Sequence, residues 1–468
     1  MGKYILKFSP VLVAVIMAAS PTPSGLSPEG WYFLSIFIGV IVGLIIEPVP
    51  AALVGLLGVS IVAALGLVDS SPSASRNWAL SGFSNGVIWL IFSAFMFALG
   101  YKKTGLGRRI SLILIKHLGK STLGLGYAIA FSDALLAPFM PSNTARSAGT
   151  IYPIVSNIPL MFNSTPDNEP RKIGSYLTWV AIAATCVTSS MFLTALAPNL
   201  LAVDLIAQTT GIQIAWGDWA KVMIPAMLPL FILTPWLAYV IYPPTQKTSP
   251  EAPVWASKEL DKLGSITRKE LMMLGYAILA LIFWIFGKEL GVNSTVAAIL
   301  VLSFMVLSDI ITWDDVISNK SAWNVLIWFA TLVAMASGLG KTGVLEWIGT
   351  LASGHLQGMQ PAPVALLLVL MFFVLHYFFA STTAHTTALM PLFMVTASAL
   401  LPVEMLPSIA LMLAGSLGLM GIITPYATGP SPIWYGSGFI SQARWWFLGL
   451  VFGGLYLAVM LILTSLYV

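Results

Sequence analysis

The chain has 468 residues, of which 58% are hydrophobic and only 9% charged, against roughly a quarter charged in an ordinary soluble domain. So few charges cannot cover a water-soluble fold of this size, and much of the surface must face lipid. A single cysteine, Cys186, excludes a disulfide framework and a cysteine metal cluster, and a net charge of +4 with its basic residues gathered in polar segments excludes a nucleic-acid surface.

At the N-terminus, Lys3 and Lys7 precede Val11 to Ala19, then Ser20 and Pro21. This pattern fits either a signal peptide or a short first transmembrane helix, and the orientation argument below requires a retained helix. Apolar runs bounded by polar or Pro/Gly breaks predict spans at about 9–20, 31–46, 50–68, 85–101, 175–206, 219–242, 271–287, 295–311, 323–340, 408–440 and 442–466. Two further apolar regions, 121–162 and 362–402, are each interrupted near the middle by a polar stretch. Broken helices at membrane depth are tolerated where the backbone is buried in protein or lines a wet cavity, so these breaks mark the expected site.

Segment 101–120 carries Lys102, Lys103, Arg108, Arg109, Lys116 and Lys120 without an acid, which places it on the cytoplasmic side. The longest polar linker, 246–270, falls on the same side if 121–162 enters and returns. The expected fold is therefore all-α integral membrane, with eleven transmembrane helices and two re-entrant hairpins, N-terminus inside. Residues 1–245 form a first half with an extra N-terminal helix, the hairpin 121–162 and the broken helix 175–206. Residues 246–270 form a cytoplasmic linker, and residues 271–468 a second half with the hairpin 362–402 and the broken helix 408–440.

The halves resemble each other. Lys103-Thr104-Gly105 matches Lys341-Thr342-Gly343 at an offset of 238, and Ser142-Asn143-Thr144-Ala145-Arg146 matches Ser381-Thr382-Thr383-Ala384-His385 at 239. Similar segments in halves of opposite orientation indicate an inverted repeat.

The chemistry is expected at these breaks. Ser142, Asn143, Thr144, Ser381, Thr382 and Thr383 offer hydroxyl, amide and freed backbone N–H donors suited to a carboxylate. Freed carbonyls could instead hold a cation, and Ser and Thr could simply back-bond to the preceding turn. Arg146 and His385, each four residues after its serine, are expected near the substrate, because ionisable groups at membrane depth are expensive. Proline breaks at Ala197-Pro198-Asn199 and Thr424-Pro425 to Pro432 unwind the next helices, so that Asn199, Thr428, Gly429 and Pro430 present backbone to the ligand.

Paired Ser-Asn-Thr-type hairpins, a Pro/Gly-broken helix after each, and a long loop between halves resemble the divalent anion/sodium symporter family. The run Thr428-Gly429-Pro430-Ser431-Pro432, continuing to Gly436-Ser437-Gly438, looks like its citrate/succinate and 2-oxoglutarate/malate exchanger branch. The resemblance covers nearly the whole chain. It implies a homodimer in which scaffold helices stay fixed while a transport domain slides, elevator-fashion, with each motif gripping one carboxylate and a sodium ion beside each motif. Here the second motif lacks the asparagine, Arg146 and His385 bring basic groups, and Ala197-Pro198-Asn199 replaces a Gly-Thr-Pro-type sequence. These departures point away from sodium.

A permanent Arg146 charge would make the empty carrier cationic and costly to move through low dielectric, hence an obligate exchanger. The expected function is sodium-independent antiport of di- or tricarboxylates (succinate, malate, 2-oxoglutarate, citrate or tartrate) in the lipid bilayer of a bacterial cytoplasmic membrane, with no cofactor and no metal. The alternative is a sodium-coupled symporter on the same fold. A channel would need a ring of charges or a repeated filter. A hydrolase using Ser381 with His376 or His385 would need an orienting carboxylate.

Overall fold

The computed structural model describes residues 2–356, 358 and 360–466, and among them every regular element is helical. In the first half these are α1 (Gly2–Ala18), α2 (Pro28–Ile46), α3 (Ala51–Ala64), α4 (Pro72–Leu80), α5 (Gly86–Thr104), α6 (Leu106–Leu118), α7 (Thr122–Leu136), α8 (Tyr152–Val155), α9 (Gly174–Met191), α10 (Ala197–Thr210) and α11 (Trp216–Ile241). The connecting segment holds α12 (Glu251–Leu263). Then come α13 (Arg268–Leu290), α14 (Ser294–Leu307), α15 (Trp313–Ser318), α16 (Lys320–Lys341), α17 (Val344–Leu356), α18 (Pro361–Leu375), α19 (Thr382–Leu400), α20 (Leu406–Leu419), α21 (Ser431–Gly436) and α22 (Gln442–Thr464). Among the described residues nine helical stretches are long and apolar enough to cross a membrane, and α3, α14 and Phe8–Ala18 are shorter apolar helices. The protein is a multi-pass membrane protein.

Local chemistry sets the helix ends. Ser27 caps α2 by accepting from the Gly30 N–H, and Pro28 and Glu29 fill its first turn. The helix stops at Glu47, whose backbone is left-handed (φ 49°), just before Pro48. Ser121, Asn293 and Asn319 cap α7, α14 and α16 in the same way.

Two expectations change. The basic segment 101–120, where the apolar runs predict no span, is mostly helix α6, whose Leu106, Leu112 and Ile115 are buried while Arg108 and Lys116 are exposed. The linker 246–270 is likewise ordered: Ala252 and Ala256, four apart on one face of α12, are buried as that helix packs along α6. Both are short amphipathic helices that a search for apolar spans passes over.

The chain packs into two compact units, each drawn from both sides of α12. One comprises Met1–Phe92, Leu200–Ile214 and Asn319–Ala414, the other Ser93–Asn199, Ala215–Ser318 and Gly415–Val468. In the first unit a core of Trp31, Phe33, Phe37, Trp78, Leu332 and Met335 joins α2, α3, α4 and α16. Glycines let backbones close up there: a Cβ on Gly82 would fall 1.8 Å from the Ala330 carbonyl oxygen. In the second unit α9 is buried along its whole length and packs against α7 and α11. On this unit's α6, Arg109 is buried against Glu270 (Nε–Oε1 2.6 Å) and also donates to the Gly264 carbonyl at 2.9 Å.

Removing one member of a buried pair strands the other charge, while removing both is far milder. Arg109→Gln or Glu270→Gln alone should therefore destabilise the protein by on the order of 3 kcal/mol, and the double variant by clearly less. Thermal unfolding in detergent reads this, and equal midpoints for all three would show the pair to be idle.

Candidate functional site

In the second unit α7 continues through a 3-10 turn, Ala137–Phe139, and the helix ends at Met140-Pro141. Backbone order resumes as a π-helix, Thr144–Ile151, a wide form often found at functional sites. Ser142 caps it, its hydroxyl accepting from the Ala145 N–H at 3.2 Å. The next break, between α9 and α10, lies against this one. The Ala197 N–H donates to the Pro141 carbonyl (2.8 Å) and the Thr194 hydroxyl to the Pro138 carbonyl (2.6 Å). Two interrupted helices thus satisfy each other's freed backbone groups, as the low-dielectric setting demands.

Arg146 closes the arrangement. It is fully buried, and its guanidinium donates to Asp133 Oδ2 (3.0 Å), the Met140 and Ala195 carbonyls (2.7 and 2.8 Å) and the Ser189 hydroxyl (3.0 Å). Asp133 in turn accepts from the Thr185 hydroxyl at 2.5 Å and from Thr188. The expectation of an uncompensated cation at Arg146 is corrected: its charge is balanced by Asp133 and its donors are occupied. Asp133 escaped the sequence reading, although a lone acid within an apolar run, thirteen residues before a lone arginine, is the signal of such a pair.

Asn199 is corrected too: it is fully buried, and its backbone N–H donates to the Leu196 carbonyl at 3.0 Å instead of standing open. Its amide donates to the Ser189 and Phe192 carbonyls (2.7 and 3.4 Å), so the side chain secures the α9–α10 break. Asn143 donates to the Thr428 hydroxyl at 2.7 Å, bringing the α20–α21 break to the first motif, and both residues are buried. Gly429 lies against Thr144, where an added Cβ would fall 1.9 Å from the hydroxyl and force that side chain to move. Pro430 starts α21. Ser142, Thr144 and Gly429 keep accessible surface, whereas Asn143, Arg146, Asn199 and Thr428 are enclosed.

The first unit carries the second motif. α18 passes through a 3-10 turn, His376–Phe378, and breaks before Ser381, which caps α19 by accepting from the Ala384 N–H at 3.3 Å. Thr386 and Thr387 back-bond to the carbonyls of Thr382 and Thr383. Ser381 is half-buried, and Thr382 and Thr383 are buried. His385 is fully enclosed, its ring edge-on to Phe372 (4.4 Å), Phe379 (5.1 Å) and His376 (4.9 Å), and neither of its nitrogens has a hydrogen-bond partner. Ser381 therefore has no bond to the His385 base, and the hydrolase arrangement with that histidine is not formed. Among the described residues no group of three or more His, Cys, Asp or Glu side chains is placed to hold a metal ion.

An all-helical, multiply broken membrane fold of this kind is shared with solved membrane transporters. The YdaH transporter of Alcanivorax borkumensis matches 94% of this chain and 98% of its own with a TM-score of 0.57 at 13% identity. MtrF of Neisseria gonorrhoeae covers 100% of this chain and 94% of its own at 0.50, also at 13% identity. The family model for the sodium:sulfate symporter transmembrane region matches residues 2–468, and the chain belongs to that family, as the paired motifs imply. Its relatives include the L-tartrate/succinate antiporters of Shigella sonnei strain Ss046, Escherichia coli O157:H7 and Escherichia coli K12, each 48% identical over 98% of this chain and 96% of theirs.

Asp133→Asn strands a buried guanidinium, so it should destabilise the protein by about 3–5 kcal/mol. Adding Arg146→Met should restore much of the loss. Detergent thermal stability decides this, and an Asp133→Asn midpoint equal to that of the parent would show Arg146 to be balanced elsewhere.

Proposed function

We propose that this protein is an antiporter of di- or tricarboxylates, the four-carbon L-tartrate and succinate first among them, with malate, 2-oxoglutarate and citrate as further candidates. The observation that carries this reading is the 48% identity, sustained along 98% of the chain, to L-tartrate/succinate antiporters. The breaks supply donors of suitable chemistry. Ser142 and Thr144, beside the backbone of Gly429, are the carboxylate donors of the second unit, and Ser381 with Thr382 and Thr383 those of the first. Arg146, Asn143, Asn199 and Thr428 hold the first break in shape, and His385 stands behind the second.

The cycle is of the elevator type in a homodimer, with eleven crossings and two re-entrant hairpins in an inverted repeat. Support comes from the parallel element order: α5–α6–α7–break in one half and α16–α17–α18–break–α19 in the other. The basic segment of α5 and α6 faces the cytoplasm and the N-terminus lies inside, in a bacterial cytoplasmic membrane, following the charge asymmetry and the bacterial relatives. Exchange rests here on the cost of moving unpaired, dehydrated donors rather than on a bare Arg146 charge. The balanced Asp133–Arg146 pair favours one competing reading, a sodium-coupled symporter in which a cation offsets the substrate.

Reconstituted vesicles separate the two. Labelled succinate should enter only when L-tartrate or succinate is preloaded, equally in sodium and in potassium. Uptake into empty vesicles along a sodium gradient would establish the symporter. Ser142→Ala and Ser381→Ala should each raise the KM for succinate roughly tenfold, the loss of one hydrogen bond to a charged group. An unchanged KM in both would remove the breaks from the site.

A further inference from the structure

A cavity in the second unit lies away from the motifs, where α5 turns into α6. It encloses about 600 Å³ between the ends of these helices, the π-helix and α12, within the usual range for small-ligand pockets. Lys102, Lys103 and Arg108 line it, against one lining acid, Glu259. Lys103 is tied to Asp315, whose carboxyl is held down at about 2 by that lysine and Thr312. Arg108 uses one Nη for Glu259 (2.7 Å), whose carboxyl Lys262 and Arg108 hold below its ordinary value. Lys102 has no carboxylate partner among the described residues. Gly105, the N-cap of α6, has no side chain to cap the first turn, and of its N–H groups that of Leu106 donates to the Thr104 hydroxyl at 3.5 Å.

The rest of the lining is amphiphilic. Trp255 is half-buried there, with Leu112, Ile154 and Leu263, while Thr150 and Asn157 add polar contacts. The matching Thr342-Gly343 of the second half lines a cavity of about 350 Å³ that holds Glu346 and Trp347 and no basic residue. The same local sequence thus frames a basic cavity once and an acidic one once.

We propose that the Lys102/Lys103/Arg108 cavity binds a phosphate-bearing anion, the headgroup of an anionic phospholipid. The cations meet the phosphate oxygens beside the start of α6, and the indole and aliphatic lining meets the glycerol and first methylenes. Inorganic phosphate presents the same oxygens without the apolar part, so separate arms tell the sources apart.

The test is thermal unfolding of the full chain in neutral detergent, titrated with short-chain phosphatidylglycerol, short-chain phosphatidylcholine or sodium phosphate. Phosphatidylglycerol should raise the midpoint saturably, and phosphatidylcholine should not. Lys102→Gln and Arg108→Gln should each raise the half-saturating concentration about fivefold, the effect of one basic residue near an anionic surface. Lys116→Gln, on the same basic segment but outside the cavity, should leave it unchanged. Saturation by inorganic phosphate at similar concentrations would keep the site and make free phosphate its ligand. Equal shifts from both lipids, unchanged Lys102→Gln and Arg108→Gln, or an equal effect of Lys116→Gln would overturn the site. Should Arg108→Gln fail to fold for want of its Glu259 pair, Lys102→Gln carries the test alone.

Discussion

The Asp133–Arg146 pair is the interaction on which the second unit depends. Both side chains are enclosed, and removing either charge from water is expensive unless partner and hydrogen bonds are complete. Here they are: the guanidinium is used by one carboxylate, two hydroxyls and two backbone carbonyls, and the carboxylate by two threonines of α9. The two carbonyls, of Met140 and Ala195, belong to the two helix breaks, so one side chain holds both interruptions together. The small polar residues of α9 follow from this, since Thr185, Thr188 and Ser189 can reach the pair without pushing α7 and α9 apart.

Breaks of this kind are only tolerable when their freed groups are met within the protein. Pro141, Pro138 and Ala197 do so across two breaks, and Asn143 with Thr428 joins a third. Once these bonds are made, most of the polarity that marks the segment in the sequence is already used. What is left accessible is a narrow edge of Ser142, Thr144 and Gly429, kept open because Gly429 has no side chain to fill it.

The two motifs match in spacing but differ in support. Ser142 and Ser381 cap their helices in the same way, yet the position four residues on holds an ion-paired arginine in one and an aromatic-enclosed histidine in the other. Equivalent positions of a repeated sequence thus carry different physics, because each is surrounded by different neighbours.

The membrane class, the two interrupted regions and the positions of the helix breaks were legible in the sequence, because they rest on local rules: about 20 apolar residues cross a bilayer, and proline and clustered serines stop a helix. The family was legible for the same reason, its motifs being short and contiguous. The short amphipathic helices α6 and α12 were not, since their apolar faces have meaning only against the neighbours they pack on, α6 against α7 and α12 and α12 against α6. Nor were the roles of Arg146 and Asn199, which as letters promised a substrate charge and an open backbone. Only the tertiary structure sets Asp133 beside Arg146 and folds the Asn199 amide back onto Ser189. A residue's partners across the chain, not its own chemistry, decide whether its polarity serves a ligand or the fold.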